Sequence, residues 1–176
     1  MTTITPQLIE DCIKGKRKAQ NVLYTQYCDA MYTICLRMLK NTADAEDMLV
    51  KSFTDVFRKL EQFRMEASIG AWIKRIVINN CITFLRSKKL VDEWDEKYDA
   101  IDEEPVPDAE VEYSVSTIKR AMSELSDGYR SIMNLYLFEG LDHLEIADYL
   151  GISVSNSKVQ YHRGKKKLIS ILKSLN

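Results

Sequence analysis

Leu141–Leu175 reads LDHLEIADYLGISVSNSKVQYHRGKKKLISILKSL, and its punctuation decides the fold. Asp142 with Glu145 three residues later is the pattern of a helix N-cap and its reciprocal acid. Leu141 stands just outside that cap, placed as a hydrophobic staple. Ile146, Ala147 and Leu150 mark one apolar face. Gly151 then offers the positive φ at which a helix stops abruptly. Ile152 is placed to plug the corner, and Ser153 is a second N-cap that opens a helix running toward the C-terminus. A short helix, a tight glycine turn and a longer basic helix spell a helix-turn-helix.

At 100° per residue the second helix has two sides. Ser157, Tyr161, Gly164, Leu168, Leu172 and Leu175 fall on the side that faces the domain core. Ser155, Asn156, Val159, His162, Arg163 and Lys166 fall on the other, flanked by Lys158 and Lys165. Small polar residues followed by Lys and Arg suit insertion into a DNA major groove. The first turns then meet base edges and the later cations meet phosphates. The bland counterpart is a solvated basic face; cap, turn and basic face agree on DNA binding.

Working outward, charge is segregated although the net charge is only −1. Residues 1–89 carry 15 Lys/Arg against 9 Asp/Glu, or +6. Residues 90–113 carry 1 against 11, or −10, and residues 114–176 carry 9 against 6, or +3. Two basic blocks therefore flank an acidic one. Within 90–112, Pro105 and Pro107 sit among the acids, and like-charge repulsion disfavours compact structure. The expected architecture is all-α: two small helical domains, 1–89 and 113–176, joined by a flexible acidic linker at 90–112. Only 6 Gly and 3 Pro fit helices with few turns, and 45% hydrophobic residues suffice for a buried core.

The first block reads as four helices. Thr5-Pro6 starts one that ends near Gly15. Val22, Leu23, Tyr27, Met31, Ile34, Cys35 and Met38 follow on helical spacing, after exposed Lys16, Arg17 and Lys18. Thr42 is expected to cap the third, whose first turn carries Asp44, Glu46 and Asp47, favourable to the helix dipole. Leu49, Phe53, Val56, Phe57 and Leu60 form its buried stripe. Ser68 caps the fourth, with Ile69, Trp72, Ile73, Ile76, Val77, Phe84 and Leu85 inside. Arg75, Asn79, Thr83 and Arg86 share about one quadrant of its other side. That polar stripe suits a nucleic-acid backbone as well as plain solvent. Beyond the acidic stretch, Val111, Val115, Ile118, Met122 and Leu125 step along a helix. Ser126 caps another, with Ile132, Met133 and Tyr136 inside, ending at Gly140.

Several classes are disfavoured. The region Ile13–Lys18 is charged and no long apolar run follows, so neither a secretory leader nor membrane insertion is expected. Cys12, Cys28, Cys35 and Cys81 form no Cys-x-x-Cys pair, and most lie at apolar positions, as reduced core thiols do. His143 and His162 have no ligand-spaced partners, so no metal or cofactor is expected. A cytoplasmic protein fits. No paired carboxylates, Cys/His nucleophile pair or phosphate-cradling glycine loop suggests an enzyme.

The two blocks together resemble bacterial RNA polymerase sigma factors of the extracytoplasmic-function group, over nearly the whole chain. The resemblance rests on DAEDMLVKSFTDVFRKLEQF and ASIGAWIKRIVINNCITFLRSKK in the first block. In the second it rests on LSDGYRSIMNLYLFEGLDHLEIADYLGIS and the helix that follows. It implies that the first block docks on RNA polymerase core and melts the −10 promoter element, while the second binds −35 DNA. The linker would thread through polymerase toward the RNA exit path. Polymerase contact falls on Asp44, Glu46, Asp47 and the following turn with Val50 and Lys51. The loop for a flipped base falls on Phe63, Arg64, Met65, Glu66 and Ala67, up to Ser68. Strand contacts fall on Lys74, Arg75 and Asn79. The −35 contacts fall on Lys158, Val159, His162 and Arg163. The resemblance also implies an anti-sigma protein as inhibitor.

Two departures stand out. Val50-Lys51 replaces the family's frequent Gln-acid pair, reversing a charge beside the polymerase-binding segment. Asn156-Ser157 replaces a frequent Thr-Val, and a polar Ser157 facing inward is expected to weaken local packing. The alternative is a stand-alone helix-turn-helix regulator that binds DNA without polymerase.

Overall fold

The computed structural model describes residues 4–88 and 113–175. The acidic stretch 90–112, expected to be a linker, lies outside the described residues. The chain divides into two compact units, Met1–Phe84 and Leu85–Asn176, and all regular structure among the described residues is helical.

The first unit is built from α1 (Pro6–Ile13), α2 (Arg17–Leu39), α3 (Thr42–Lys59), a short 3₁₀ turn (Leu60–Gln62) and α4 (Ile69–Ser87), whose last turn crosses the division. Thr5 caps α1, its hydroxyl accepting from the Leu8 N–H with Pro6 in the first turn, as the sequence predicts. The cap of α3 differs by one residue. Asn41, in extended backbone, accepts from the Asp44 N–H at 3.0 Å, and Thr42 is already helical. Asn is among the strongest N-cap residues, which accounts for the shift. Ser68 accepts from the Ala71 N–H at 3.2 Å and so caps α4.

Most positions of the predicted stripes are buried, while Val22, Tyr27, Phe57, Trp72, Ile76 and Phe84 are partly buried at their margins. Leu23, Met31, Ile34, Cys35 and Met38 of α2 are buried, as are Leu49, Phe53 and Val56 of α3 and Ile69, Ile73, Val77 and Leu85 of α4, with Cys81 buried beside the α4 stripe. Helix α2 packs along α3. It also meets α4 at a close approach, where Cys35 and Cys81 lie Sγ to Sγ at 3.7 Å. All four cysteines are free thiols, with Cys12, Cys35 and Cys81 buried.

The second unit holds α5 (Val115–Glu124), α6 (Asp127–Leu137), α7 (His143–Leu150) and α8 (Val154–Ser174). Helix α8 is its axis, with α5, α6 and α7 all packed against it. Ala121, Met122, Leu125, Met133, Leu168, Ile171 and Leu172 make one apolar cluster. Gly164 lets α8 approach α6, since a Cβ there would lie 3.3 Å from Met133 and 3.4 Å from Tyr129. Two expectations are corrected here. Val115, read as part of the apolar step of α5, is 69% exposed, because it is the first helical residue and lies at the edge of the packed turn. Tyr136, placed inside α6, is 37% exposed, because its ring lies against other rings at the margin rather than in the aliphatic core.

An interaction without a sequence signal joins α5 to α6. Arg130 is 2% exposed; its guanidinium donates to the Leu125 carbonyl at 2.8 Å and to the Asp127 carboxylate. Burial lowers its pKa, and the Asp127 carboxylate opposes that shift, keeping the buried cation paired.

Candidate nucleic-acid interface

The helix-turn-helix is fixed by its caps. The Asp142 carboxylate accepts from the N–H groups of Leu144 and Glu145, each at 2.8 Å. Glu145 Oε2 accepts in return from the Asp142 N–H at 2.9 Å, completing the predicted capping box. Gly151 closes α7 at φ 58°, in the left-handed region. Ser153 Oγ then accepts from the Asn156 N–H at 3.1 Å and starts α8. Each cap side chain contributes about 1 kcal/mol, so the angle between α7 and α8 is encoded within a dozen residues.

The predicted inward side of α8 is inward: Ser157, Gly164, Leu168 and Leu172 are buried, and Tyr161 and Leu175 pack against the apolar cluster. On the other side, Ser155, Lys158 and Lys165 are exposed, and His162, Arg163 and Lys166 are partly exposed. Asn156 and Val159 differ from that reading, at 7% exposure each. Helical angle fixes the side from which a residue leaves the helix, not how closely neighbouring groups cover it. Ser157 also behaves differently from expectation. Its hydroxyl lies 3.0 Å from His143 Nδ1, so the buried polar group is partnered and the anticipated packing loss is offset.

In the first unit, α4 presents Arg75, Asn79, Thr83 and Arg86 as exposed side chains, with Lys74 partly exposed. The preceding loop exposes Arg64, Met65, Glu66 and Ala67. Phe63 anchors its start, with its ring centroid 5.4 Å from that of Trp72. Met65 has φ 58°, which a side-chain-bearing residue adopts only when its surroundings impose it. Phe63, Met65, Ala67 and Ser68 line one wall of an open pocket of about 400 Å³. Pro6 and Ile9 of α1 and Gln26 and Tyr27 of α2 line the other. Its volume falls within the range of small-molecule clefts, and it is open to solvent. The α1 and α2 wall had no sequence signal, because nothing local records that distant residues close over the loop.

Along the start of α3, Glu46 and Asp47 are exposed and Asp44 is partly exposed. Val50 is 64% exposed, an apolar side chain beside this acidic turn. Lys51 is tied down: its ammonium bonds Asp55 Oδ2 at 2.9 Å and Asn80 Oδ1 at 3.1 Å. Asn80 Nδ2 donates to Ser52 Oγ and Asp55 Oδ2, both at 3.1 Å, and Arg58 reaches Asp55 Oδ1 at 2.6 Å. The bonded Lys51 ammonium holds the buried Asp55 carboxyl below the usual carboxylate range, with Asn80 and Arg58 adding to the effect. The reversed charge is thus largely neutralised within α3.

Residues 23–91 match the family model of Sigma-70 region 2, and residues 116–168 match that of Sigma-70, region 4. The ECF RNA polymerase sigma factor SigW of Bacillus subtilis is 29% identical over 187 residues, covering 99% of this chain and 100% of the relative. The RNA polymerase sigma factor SigZ of the same organism is 30% identical over 153 residues, covering 85% of each. Among solved structures, the sigma factor RpoE in complex with the anti-sigma factor NepR from Bartonella quintana matches with a TM-score of 0.59. That likeness, at 18% identity over 87% of this chain and 96% of the other, is one of fold. Region 2 over the first block and region 4 over the second, with relatives that align over most of the chain, place the protein in the RNA polymerase sigma factor family, in its extracytoplasmic-function (ECF) group.

Proposed function

We propose that this sigma factor binds RNA polymerase core through the acidic, partly apolar start of α3, with Asp44, Glu46, Asp47, Val50 and Lys51. The loop Phe63–Ser68 and the α4 side chains Lys74, Arg75 and Asn79 melt the −10 element and hold its single strand. The helix α8 reads the −35 element as duplex, through Ser155, Lys158, His162, Arg163 and Lys166; Asn156 and Val159, which the sequence also placed on this side, are 7% exposed and are left out of the contact surface. In this reading the functional domains are 1–89 and 113–176 with 90–112 between them. The protein acts in the cytoplasm, without enzymatic activity of its own, and an anti-sigma protein restrains it, as the solved relative is bound by one.

The observation that carries the reading is the joint presence of regions 2 and 4 on one chain. The pocket beside the loop supports the melting role, since extruding a base costs a few kcal/mol that stacking and edge contacts must return. A stand-alone helix-turn-helix regulator is not favoured, because it leaves the region 2 pattern of the first unit without a role.

The test is run-off transcription with purified core. Initiation should require this protein and select particular promoters; DNA binding that is indifferent to core would support the stand-alone regulator instead. Replacing Arg64–Ala67 should abolish permanganate-reactive thymines in the −10 region while duplex −35 binding persists. Thymines that stay reactive in that variant would remove the loop from the mechanism.

A further inference from the structure

The second unit contains a cluster that neither caps nor apolar packing requires. His143 is the first residue of α7, held in place by the capping box around it. Its ring stacks on Tyr136, centroids 5.0 Å apart at 26°, and meets Tyr161 edge-on at 5.5 Å. Its Nδ1 lies 3.0 Å from the hydroxyl of Ser157, which is fully buried in the first turns of α8. One polar contact therefore joins the opening turns of the two helices of the motif.

We propose that the His143–Ser157 hydrogen bond is a positioning element for promoter reading, which sets the rotation of α8 about its own axis. Apolar contacts alone tolerate small rotations, because they are non-directional. A hydrogen bond is directional and weakens steeply when misaligned. Side-chain tips lie roughly 5–6 Å from a helix axis, so a rotation of about 10° moves them by about 1 Å. A shift of that size degrades the paired hydrogen bonds by which a side chain tells one base from another. Ser157 sits next to Lys158 and two residues after Ser155, both exposed, so its angular position is passed directly to side chains assigned to the groove. The stacked Tyr136 and the edge of Tyr161 keep the imidazole in the plane that aims Nδ1 at Ser157.

The inference rests on α8 reading −35 DNA, and the experiment separates the two. Full-length protein and its variants are assayed with core for transcription from a preferred promoter and from versions with single −35 changes, with thermal unfolding measured in parallel. Ser157→Ala removes the hydroxyl, and His143→Phe keeps a ring but removes Nδ1. His143→Asn loses the ring yet places an amide where Nδ1 was. Discrimination should fall about fivefold in Ser157→Ala and His143→Phe, the worth of a typical net hydrogen bond. The double variant should lose no more than either single one, and His143→Asn should recover part of the loss. The imidazole ¹⁵N shifts of His143 should move in Ser157→Ala. Equal discrimination in all variants, with only the melting temperature altered, would overturn the positioning role. A wild-type protein indifferent to −35 changes would instead overturn the reading on which it rests.

Discussion

His143 shows how a single side chain links sequence, packing and solution conditions. Burial lowers its pKa below the usual imidazole value of 6.5, nearby Lys158 lowers it further, and Asp142 acts in the opposite sense. Tyr136 from α6 and Ser157 and Tyr161 from α8 complete its surroundings, and none of them supplies a compensating negative charge near neutral pH. The folded protein therefore prefers the neutral ring. A depressed folded-state pKa means that the unfolded chain takes up the proton first as pH falls. The stability contributed by His143 is complete above 6.5. It declines below that value and levels off under the folded-state pKa. Unfolding followed from pH 7.5 to 5 should show this loss in the wild type and a flatter profile in His143→Asn. Identical slopes would mean that the ring is accessible to protons without cost. The residue-scale features that sequence reading reached were of local origin. Asp142 and Glu145 are three residues apart, and Ser153 precedes the helix it caps. His143 and Ser157 are fourteen residues apart, and only the fold shows that they touch.

At the scale of elements, periodicity found the helices and their buried stripes, because a 3.6-residue repeat is written directly in the chain. It did not find the polar joint between α3 and α4. Asp55 falls on the buried face of α3, where an apolar residue would be expected, and it is retained by Lys51, Arg58 and Asn80. Two of those partners are on its own helix, but Asn80 comes from α4, twenty-five residues away. Removing the charge from Asp55 leaves the Lys51 and Asn80 contacts weakened in a partly dry site. Asp55→Asn should cost about 1.5–3 kcal/mol, by the usual worth of hydrogen bonds to charged groups. Lys51→Ala should cost less, since its partner keeps Arg58 and Asn80. Because Asp55 is ionised more readily folded than unfolded, its contribution is present above the unfolded carboxylate range and is lost as pH falls through the folded value. Chemical denaturation at pH 7 and at pH 3 checks this: the wild-type advantage over Asp55→Asn should be present at the first pH and shrink at the second. An equal difference at both would assign the loss to packing rather than charge. The same logic explains the pocket beside Phe63. Its loop wall was legible through the family resemblance, whereas Gln26 and Tyr27 entered it only through the folded path of α2.

For the whole molecule, charge segregation matters more than the net charge of −1. Two blocks of +6 and +3 carry the surfaces assigned to DNA, and the block between them carries −10. A duplex approaching the free protein meets the field of all three. Attraction to the basic faces is then offset by repulsion from the acids, and the balance is felt over a Debye length of roughly 8 Å at physiological salt. Free sigma factor should bind non-specific duplex weakly for that reason alone, leaving DNA engagement to the polymerase-bound state. Converting Asp92, Glu93, Asp95, Glu96, Asp102 and Glu103 to their amides changes none of the described residues and moves the net charge from −1 to +5. Affinity of the free full-length chain for random duplex should rise at least tenfold at about 50 mM salt and converge toward wild type near 500 mM, because salt screens the repulsion that the substitutions remove. Titration of a fluorescent duplex at both salt concentrations is the measurement. An unchanged affinity at low salt would show that the acidic block does not oppose DNA binding. A gain that persists undiminished at high salt would point to a new short-range contact rather than to the relief of long-range repulsion.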